Sequence, residues 1–269
     1  MKEKILGFVG AGNMAGAIVN GIVGTKMFLP QKIYVFDINQ DKCKALQISA
    51  GVHAAESLTE LAEKCDSLFL AVKPQNFAEV LNSLKPVVNE QKLFVSIAAG
   101  ISTAYITDSL GCRCPVIRTM PNTPLLIGQG ATAMCRTDNV SDESFELVKS
   151  LFSACGTVTV LNESQMNAVI SVNSSSPAYI YLFAKAMIDS AVRQGIDSGI
   201  ALDLICQTFE GSAGMLRQPD LTPEALIKMV SSPGGTTLKA LDVLYDRGFE
   251  QMIGDAMLAC TKRAEELGR

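Results

Sequence analysis

The 269-residue chain has no tryptophan and a single histidine, His53. One imidazole leaves little for a His-dependent catalytic triad or a His-built zinc site. Its eight cysteines run from Cys43 to Cys260 without a C-x-x-C pair, and Cys112-Arg-Cys114 is too isolated to build a zinc site, so no metal is expected. Charge is also scarce. Only 19% of residues are charged, the formal balance is −4 and the pI is near 5.2. With no basic stripe, a nucleic-acid partner is excluded. A long hydrophobic run is missing too: the charge-free stretch 164–184 is interrupted by Asn167, Asn173, five serines and Pro177, a poor membrane span. The opening M-K-E-K-I-L-G-F-V-G has no apolar signal region and leads directly into a strand pattern. Scattered thiols in such a chain read as reduced residues of a cytoplasmic protein.

Apolar residues are plentiful at 48%, enough for a substantial core and a length that suits two domains. In the first half, β-rich runs at 5–9, 32–36, 67–72, 93–97, 116–120, 131–135 and 157–161 alternate with helical patterns. The helices are expected at 14–23, 41–49, 58–64, 77–84, 103–110 and 142–154. Strands that are apolar on both faces and alternate with helices predict a mostly parallel sheet covered on both sides. Beyond residue 161 strand patterns stop. Helical segments follow at 165–172, 178–193, 200–217, 223–230 and 237–267, the last divided at Gly248. The reading is an α/β domain over 1–162 and an all-helical domain over 163–269. The segment 178–192 is apolar almost all round, with Lys185, Asp189 and Ser190 as its strongly polar residues. A helical domain of roughly 100 residues has difficulty enclosing such a helix, so it is expected to pack on another subunit, with Lys185 snorkelling at its edge.

Two turns carry the chemistry. Gly10-Ala11-Gly12-Asn13-Met14-Ala15 follows the first strand and opens a helix, the context in which G-x-G-x-x-A binds a dinucleotide. Gly10 permits the tight turn, Gly12 lets a pyrophosphate approach the backbone, and Ala15 lets the helix lie on the sheet. Asp37 ends the second strand about 20 residues further on, where an acid accepts from a ribose 2′-hydroxyl and repels a 2′-phosphate. That leans towards NADH. The loops at the carboxyl ends of later strands should line the same crevice: Val9 before the turn, Ala71, Val72, Lys73 and Pro74, then Ala98, Ala99 and Gly100, then Met120 and Asn122. The second turn is Ser231-Ser232-Pro233-Gly234-Gly235-Thr236-Thr237, running into a helix. Two residues without Cβ and two hydroxyls at a helix start make an anion cradle suited to a small carboxylate.

The chain resembles pyrroline-5-carboxylate reductases. The likeness rests on G-F-V-G-A-G-N-M-A at 7–15, V-K-P-Q at 72–75, S-I-A-A-G-I at 96–101 and M-P-N-T-P at 120–124. It continues with G-Q-G-A-T-A at 128–133, P-A-Y at 177–179 and V-S-S-P-G-G-T-T at 230–237. The resemblance implies an N-terminal Rossmann-type domain and an all-helical C-terminal dimerisation domain, with dimers that often assemble into decamers. It implies reduction of 1-pyrroline-5-carboxylate to L-proline by NADPH or NADH, the last step of proline synthesis. The matching substrate residues are Ser232, Gly234, Gly235, Thr236 and Thr237, with the Thr237 hydroxyl approaching the ring nitrogen. Ser175 and Pro177 also carry over. The family commonly reads S-G-S-G-P-A-Y where this chain has N-S-S-S-P-A-Y at 173–179. Many relatives place a ribose-contacting asparagine where Leu58 stands. Both departures, with Asp37, bear on the pocket wall and on the family's NADPH habit.

No paired carboxylates or second histidine supply a proton donor, and an iminium is already a good hydride acceptor. The expected contribution of the protein is orientation, in a cleft between the domains that a partner subunit could complete. Two rivals share features of this plan. A β-hydroxyacid dehydrogenase would show G-x-G-x-x-x-K-x-x-N, and residues 174–185 lack those glycines and the asparagine. A non-catalytic dinucleotide sensor would have no use for a second anion site.

Overall fold

A computed structural model describes residues 4–268, and the outermost positions of the two expected domains lie outside it. The described residues form eight strands and eleven α-helices. The chain divides into two compact units: one runs up to Pro177 and resumes from Leu258, the other is Ala178–Met257.

The first unit is built on one eight-stranded sheet. Its strands are β1 (Leu6–Val9), β2 (Ile33–Phe36), β3 (His53–Ala54), β4 (Ser67–Leu70), β5 (Leu93–Ser96), β6 (Val116–Met120), β7 (Gly130–Arg136) and β8 (Gly156–Val160). They lie in the order β3-β2-β1-β4-β5-β6-β7-β8. All pairings are parallel except β6 with β7, which run antiparallel with Met120 opposite Ala133 at the last rung. Residues of β1, β4, β5 and β6 are buried throughout, as the uniformly apolar runs predict for a sheet covered on both faces. The helices α1 (Asn13–Gly24), α2 (Gln40–Ala50) and α6 (Asp142–Ser153) contribute Ile18, Ile22, Leu46 and Phe152 to one buried cluster, where Phe8 stacks on Phe69 at 4.5 Å. Leu61, Phe77, Leu81 and Ile106 of α3 (Leu58–Lys64), α4 (Phe77–Leu84) and α5 (Thr103–Leu110) build a second cluster around Leu68, Leu70 and Phe94.

Helix ends follow local chemistry. Ser57, Ser102 and Ser141 accept from the amides of Glu60, Tyr105 and Ser144, satisfying donors that the first helical turn leaves open. The expected α3, α4 and α5 match residue for residue, and most strands end within two residues of expectation. Two corrections are needed. The two-residue β3 has no periodicity to announce it, and pairs with β2 through Tyr34 and Val35. The helix expected over 165–172 is absent. A short 3-10 turn at Glu163–Gln165 is closed by a capping box from Asn162 and Gln165, and a π-helical turn follows at Ile170–Ser174. The side chain of Glu163 is drawn to the start of α5 and those of Asn167 and Asn173 to groups on β6, which sets this path in place of a regular helix.

The second unit holds most of α7 (Ser176–Arg193), with α8 (Ser198–Leu216), α9 (Pro223–Met229), α10 (Thr236–Asp246) and the first half of α11 (Phe249–Leu267). Phe183 packs near Phe209 and Phe249, with ring centroids 6.1 and 6.2 Å apart. Few side chains are buried here, and Tyr181, Leu182 and Leu204 are each more than 60% exposed. Lys185 and Asp189 form an exposed pair at 2.6 Å. Among the described residues, no helix is long and apolar enough to cross a membrane.

Candidate functional site

Sheet topology places the first turn at the carboxyl end of β1, where the strand order reverses. Gly10 takes φ of +104°, and a Cβ there would lie 2.8 Å from the Ala71 carbonyl oxygen. Only glycine satisfies both constraints. Gly12 is the N-cap of α1 and no side chain caps that helix; an added Cβ would meet nothing within 4 Å. The backbone is therefore open on the side where α1 presents its first amides and the positive end of its dipole. Ala15 is buried against the sheet, Asn13 is exposed and Met14 half-buried. These observations fit a bound pyrophosphate.

Asp37 sits beside this turn with its carboxylate 13% exposed. One carboxylate oxygen accepts from the Ala11 amide at 2.9 Å and the other from the Asn39 amide at 2.9 Å; Lys42 Nζ lies 3.9 Å away. The acid is thus fastened to the glycine turn itself, a tie that sequence position alone did not reveal. Each oxygen retains a lone pair for a ribose hydroxyl.

The other expected cofactor residues divide by exposure. Val9 is buried; Ala71 and Val72 are half-buried at the end of β4, where Ala71 donates to the Val9 carbonyl at 2.8 Å. Lys73 is exposed and Pro74 begins a 3-10 turn. Ala98 is buried, with its amide 3.3 Å from Ser96 Oγ, and Ala99 packs against the buried cluster that includes Met120 and Met166. Gly100 lies beneath the final turns of α11, where a Cβ would collide with the Ala264 carbonyl. Met120 and Asn122 are buried. The Asn122 side chain is engaged within the protein: its oxygen accepts from the Ala131 amide at 2.9 Å and its nitrogen donates to the Asn173 carbonyl at 3.1 Å.

Sequence reasoning missed a polar cluster behind this loop. Arg118, 2% exposed in the middle of β6, donates through Nη2 to Asn167 Oδ1 at 2.6 Å and lies 3.7 Å from Glu163. Glu163 in turn accepts from the amide of Thr103 at 2.7 Å and its hydroxyl at 2.5 Å. Burial lowers the pKa of the guanidinium and the Glu163 charge opposes that shift. The nearby Cys135 thiol is pushed up to about 11, by burial first and by Glu163 second. An arginine inside the apolar run V-I-R-T-M was the available signal, since a buried charge needs a partner.

The expected substrate residues fall in both units. In the first, Ser175 follows the π-helical turn, its amide donating to Ile170 at 2.9 Å and its hydroxyl lying 3.2 Å from Cys260 Sγ. Pro177 is buried in the first turn of α7. In the second, Gly234 takes φ of +72° with open space around it, and the Gly235 amide donates to Ser232 at 2.9 Å. Gly235 is the N-cap of α10, which has no side-chain cap. Ser232 and Thr236 are exposed and Thr237 is half-buried. A small anion can reach these main-chain amides.

Fold and glycine turn together define a dinucleotide-binding protein of the Rossmann type. Residues 163–267 match the family model for pyrroline-5-carboxylate reductase dimerisation, and residues 5–100 match that for NADP oxidoreductase, coenzyme F420-dependent. The pyrroline-5-carboxylate reductase of Escherichia coli (strain K12) is 38% identical over 267 residues, covering 99% of each chain. That of Methanosarcina acetivorans is 34% identical over the full length of both. Among solved structures, Plasmodium falciparum pyrroline carboxylate reductase with NADP bound superposes with a TM-score of 0.92 at 29% identity, covering 100% of both chains. The Coxiella burnetii pyrroline-5-carboxylate reductase gives 0.89 at 32%, again covering both chains fully. The chain belongs to the pyrroline-5-carboxylate reductase family.

Proposed function

We propose that this protein reduces 1-pyrroline-5-carboxylate to L-proline with a reduced nicotinamide dinucleotide, the last step of proline synthesis. The observation that carries the reading is the uncapped start of α10 at Gly235, beside the open Gly234, in a chain that also has an open dinucleotide turn. The substrate carboxylate docks on the amides at residues 235–237, with Ser232 and Thr236 at its rim. Thr237 Oγ faces the ring nitrogen and fixes which face of the C=N bond is presented. Ser175 and Pro177 wall the substrate. When bound, a reduced nicotinamide would supply the hydride that turns a protonated imine into the amine. Orientation and exclusion of the wrong ring face are the protein's contribution, and neither needs a strong protein acid.

Residues Val9, Gly10, Ala11, Gly12, Asn13, Met14 and Ala15 seat the pyrophosphate. The loops at Ala71–Pro74, Ala98–Gly100 and Met120–Asn122 shape the ribose and nicotinamide slot. Asp37 accepts from the adenosine ribose and disfavours a 2′-phosphate, so NADH should serve at least as well as NADPH. We further read 1–162 as the dinucleotide domain and 163–269 as the substrate and dimerisation domain of a cytoplasmic homodimer, itself able to form a pentamer of dimers. The exposed apolar side chains of α7 and α8 support burial against a second copy.

Initial rates with pyrroline-5-carboxylate and each cofactor in parallel test the reading. Turnover with both, and kcat/KM for NADH equal to or above that for NADPH, is expected. Absence of turnover with either cofactor would overturn it.

A further inference from the structure

β6 and β7 separate after the rung that pairs Met120 with Ala133, and the carbonyls of Met120, Pro121 and Ala131 and the Ala131 amide need other partners. The side chains of the π-helical turn supply them. Asn173 Nδ2 donates to the Met120 carbonyl at 2.7 Å and to the Ala131 carbonyl at 2.8 Å, spanning the fork between the strands. Ser174 Oγ donates to the Pro121 carbonyl at 2.9 Å and lies 3.3 Å from Asn173 Oδ1. Asn122 completes the tie, joining the Ala131 amide to the Asn173 carbonyl. The last residue of β6 and the two that follow it are therefore held by one short segment, and the next residue of that segment is Ser175. A π-helical turn is a costly local form that recurs where a chain must present particular groups.

From this geometry we infer that Asn173 and Ser174 are positioning residues: they clamp the loop at Met120–Asn122 against Ser175 and so set where the nicotinamide ring lies. The inference rests on the assignment of that loop to the nicotinamide end of the cofactor. A primary amide suits the fork because it carries two donors on one nitrogen, one for each carbonyl. A serine hydroxyl has a single donor on a shorter stem and cannot span both. The clamp acts at the carboxyl end of β6, three places from β1 in the sheet, and Asp37 and the turn at Gly10–Ala15 are tied to each other by a hydrogen bond of their own.

That separation gives the test. Asn173→Ser, Ser174→Ala and the conservative Ser174→Thr are compared with the wild type for binding of NADH and of ADP-ribose, which lacks the nicotinamide ring. Asn173→Ser should weaken NADH by about threefold to tenfold, the worth of one or two neutral hydrogen bonds, with ADP-ribose unchanged. Ser174→Ala should do the same more weakly, and Ser174→Thr should retain wild-type binding. In turnover with pyrroline-5-carboxylate, Asn173→Ser should lower kcat by roughly tenfold to a hundredfold, as a misplaced reactant does, with a larger isotope effect from 4-deuterated NADH. Equal weakening of NADH and ADP-ribose, or no change in either, would overturn the clamp. If the wild type reduced no imino acid, the proposed reaction would fall, and the two binding titrations would still decide this inference. Should Asn173→Ser not fold, the Ser174→Ala and Ser174→Thr pair decides it.

Discussion

The two units dispose of their apolar residues in opposite ways. In the sheet unit, Phe8, Phe69, Phe77, Phe94 and Phe152 are all less than 2% exposed. In the helical unit only Ala201 and Ile205 are buried hydrophobics, while Leu182 is 69% exposed and Leu204 62%. A parallel sheet with helices on both faces encloses its own core. A set of helices in which most long apolar side chains face outward has surface left to cover, and its stability then depends on what covers it. The anion seats differ in the same sense. Gly10 is confined by a neighbouring strand end, while Gly234 stands in open space.

The most severe way to break this contrast is to charge the exposed helical face. Tyr181→Asp with Leu182→Asp should weaken self-association by about 2–4 kcal/mol, the range of interface hot spots. Sedimentation would show a monomer with lowered thermal stability; an unaltered dimer would place the covered surface elsewhere. Next in size is Thr237→Ala, expected to cost roughly tenfold to a thousandfold in kcat, the scale of one positioned hydrogen bond. Steady-state kinetics unchanged in that variant would remove Thr237 from the chemistry.

A paired substitution then separates the two seats. Gly10→Ala meets both a positive φ and the Ala71 carbonyl, so it should cost about 1–3 kcal/mol and abolish tight NADH binding. Gly234→Ala meets only the backbone penalty of its positive φ, about 1 kcal/mol, and should raise KM for the imino acid more than it lowers melting temperature. Equal losses of stability from both would erase the distinction between a confined and an open turn.

The smallest effect concerns thiols. Burial pushes Cys65 up to about 12 and Cys135 up to about 11, whereas Cys206 on α8 is exposed. Below pH 9 a thiol reagent should modify Cys206 first and the two buried residues only after unfolding, read by mass spectrometry. The raised folded values also fix the sign of a pH effect. Stability from keeping these thiols neutral is complete below their unfolded value of about 9 and is lost as pH rises towards 11 and 12. Alkaline melting should therefore be led by the sheet unit.

Sequence patterning described the sheet unit well because each buried strand and each capped helix announces itself locally. Ser57, Ser102 and Ser141 at their helix starts are examples. It failed over residues 165–172 because the residues that redirect the chain there bond to partners remote in sequence: Glu163 to Thr103, Asn167 to Arg118, Asn173 to Met120. Of the site, the glycine turns and the acid at position 37 could be read from spacing. The clamp at Asn173 and Ser174 could not, and neither could the bond between Asp37 and the Ala11 amide.

What the sequence alone determined is the set of residues whose meaning is local: glycines where no Cβ is tolerated, apolar runs of strand length, hydroxyls at helix starts. Tertiary structure decided which side chains are already spent within the protein and which remain for a ligand. Asn122 and Asp37 look alike as polar residues at strand ends, yet one is buried with its amide engaged and the other keeps accepting capacity beside an open turn. A hydrogen bond to a partner dozens of residues away exists only once folding has brought the two together, and no local pattern encodes it.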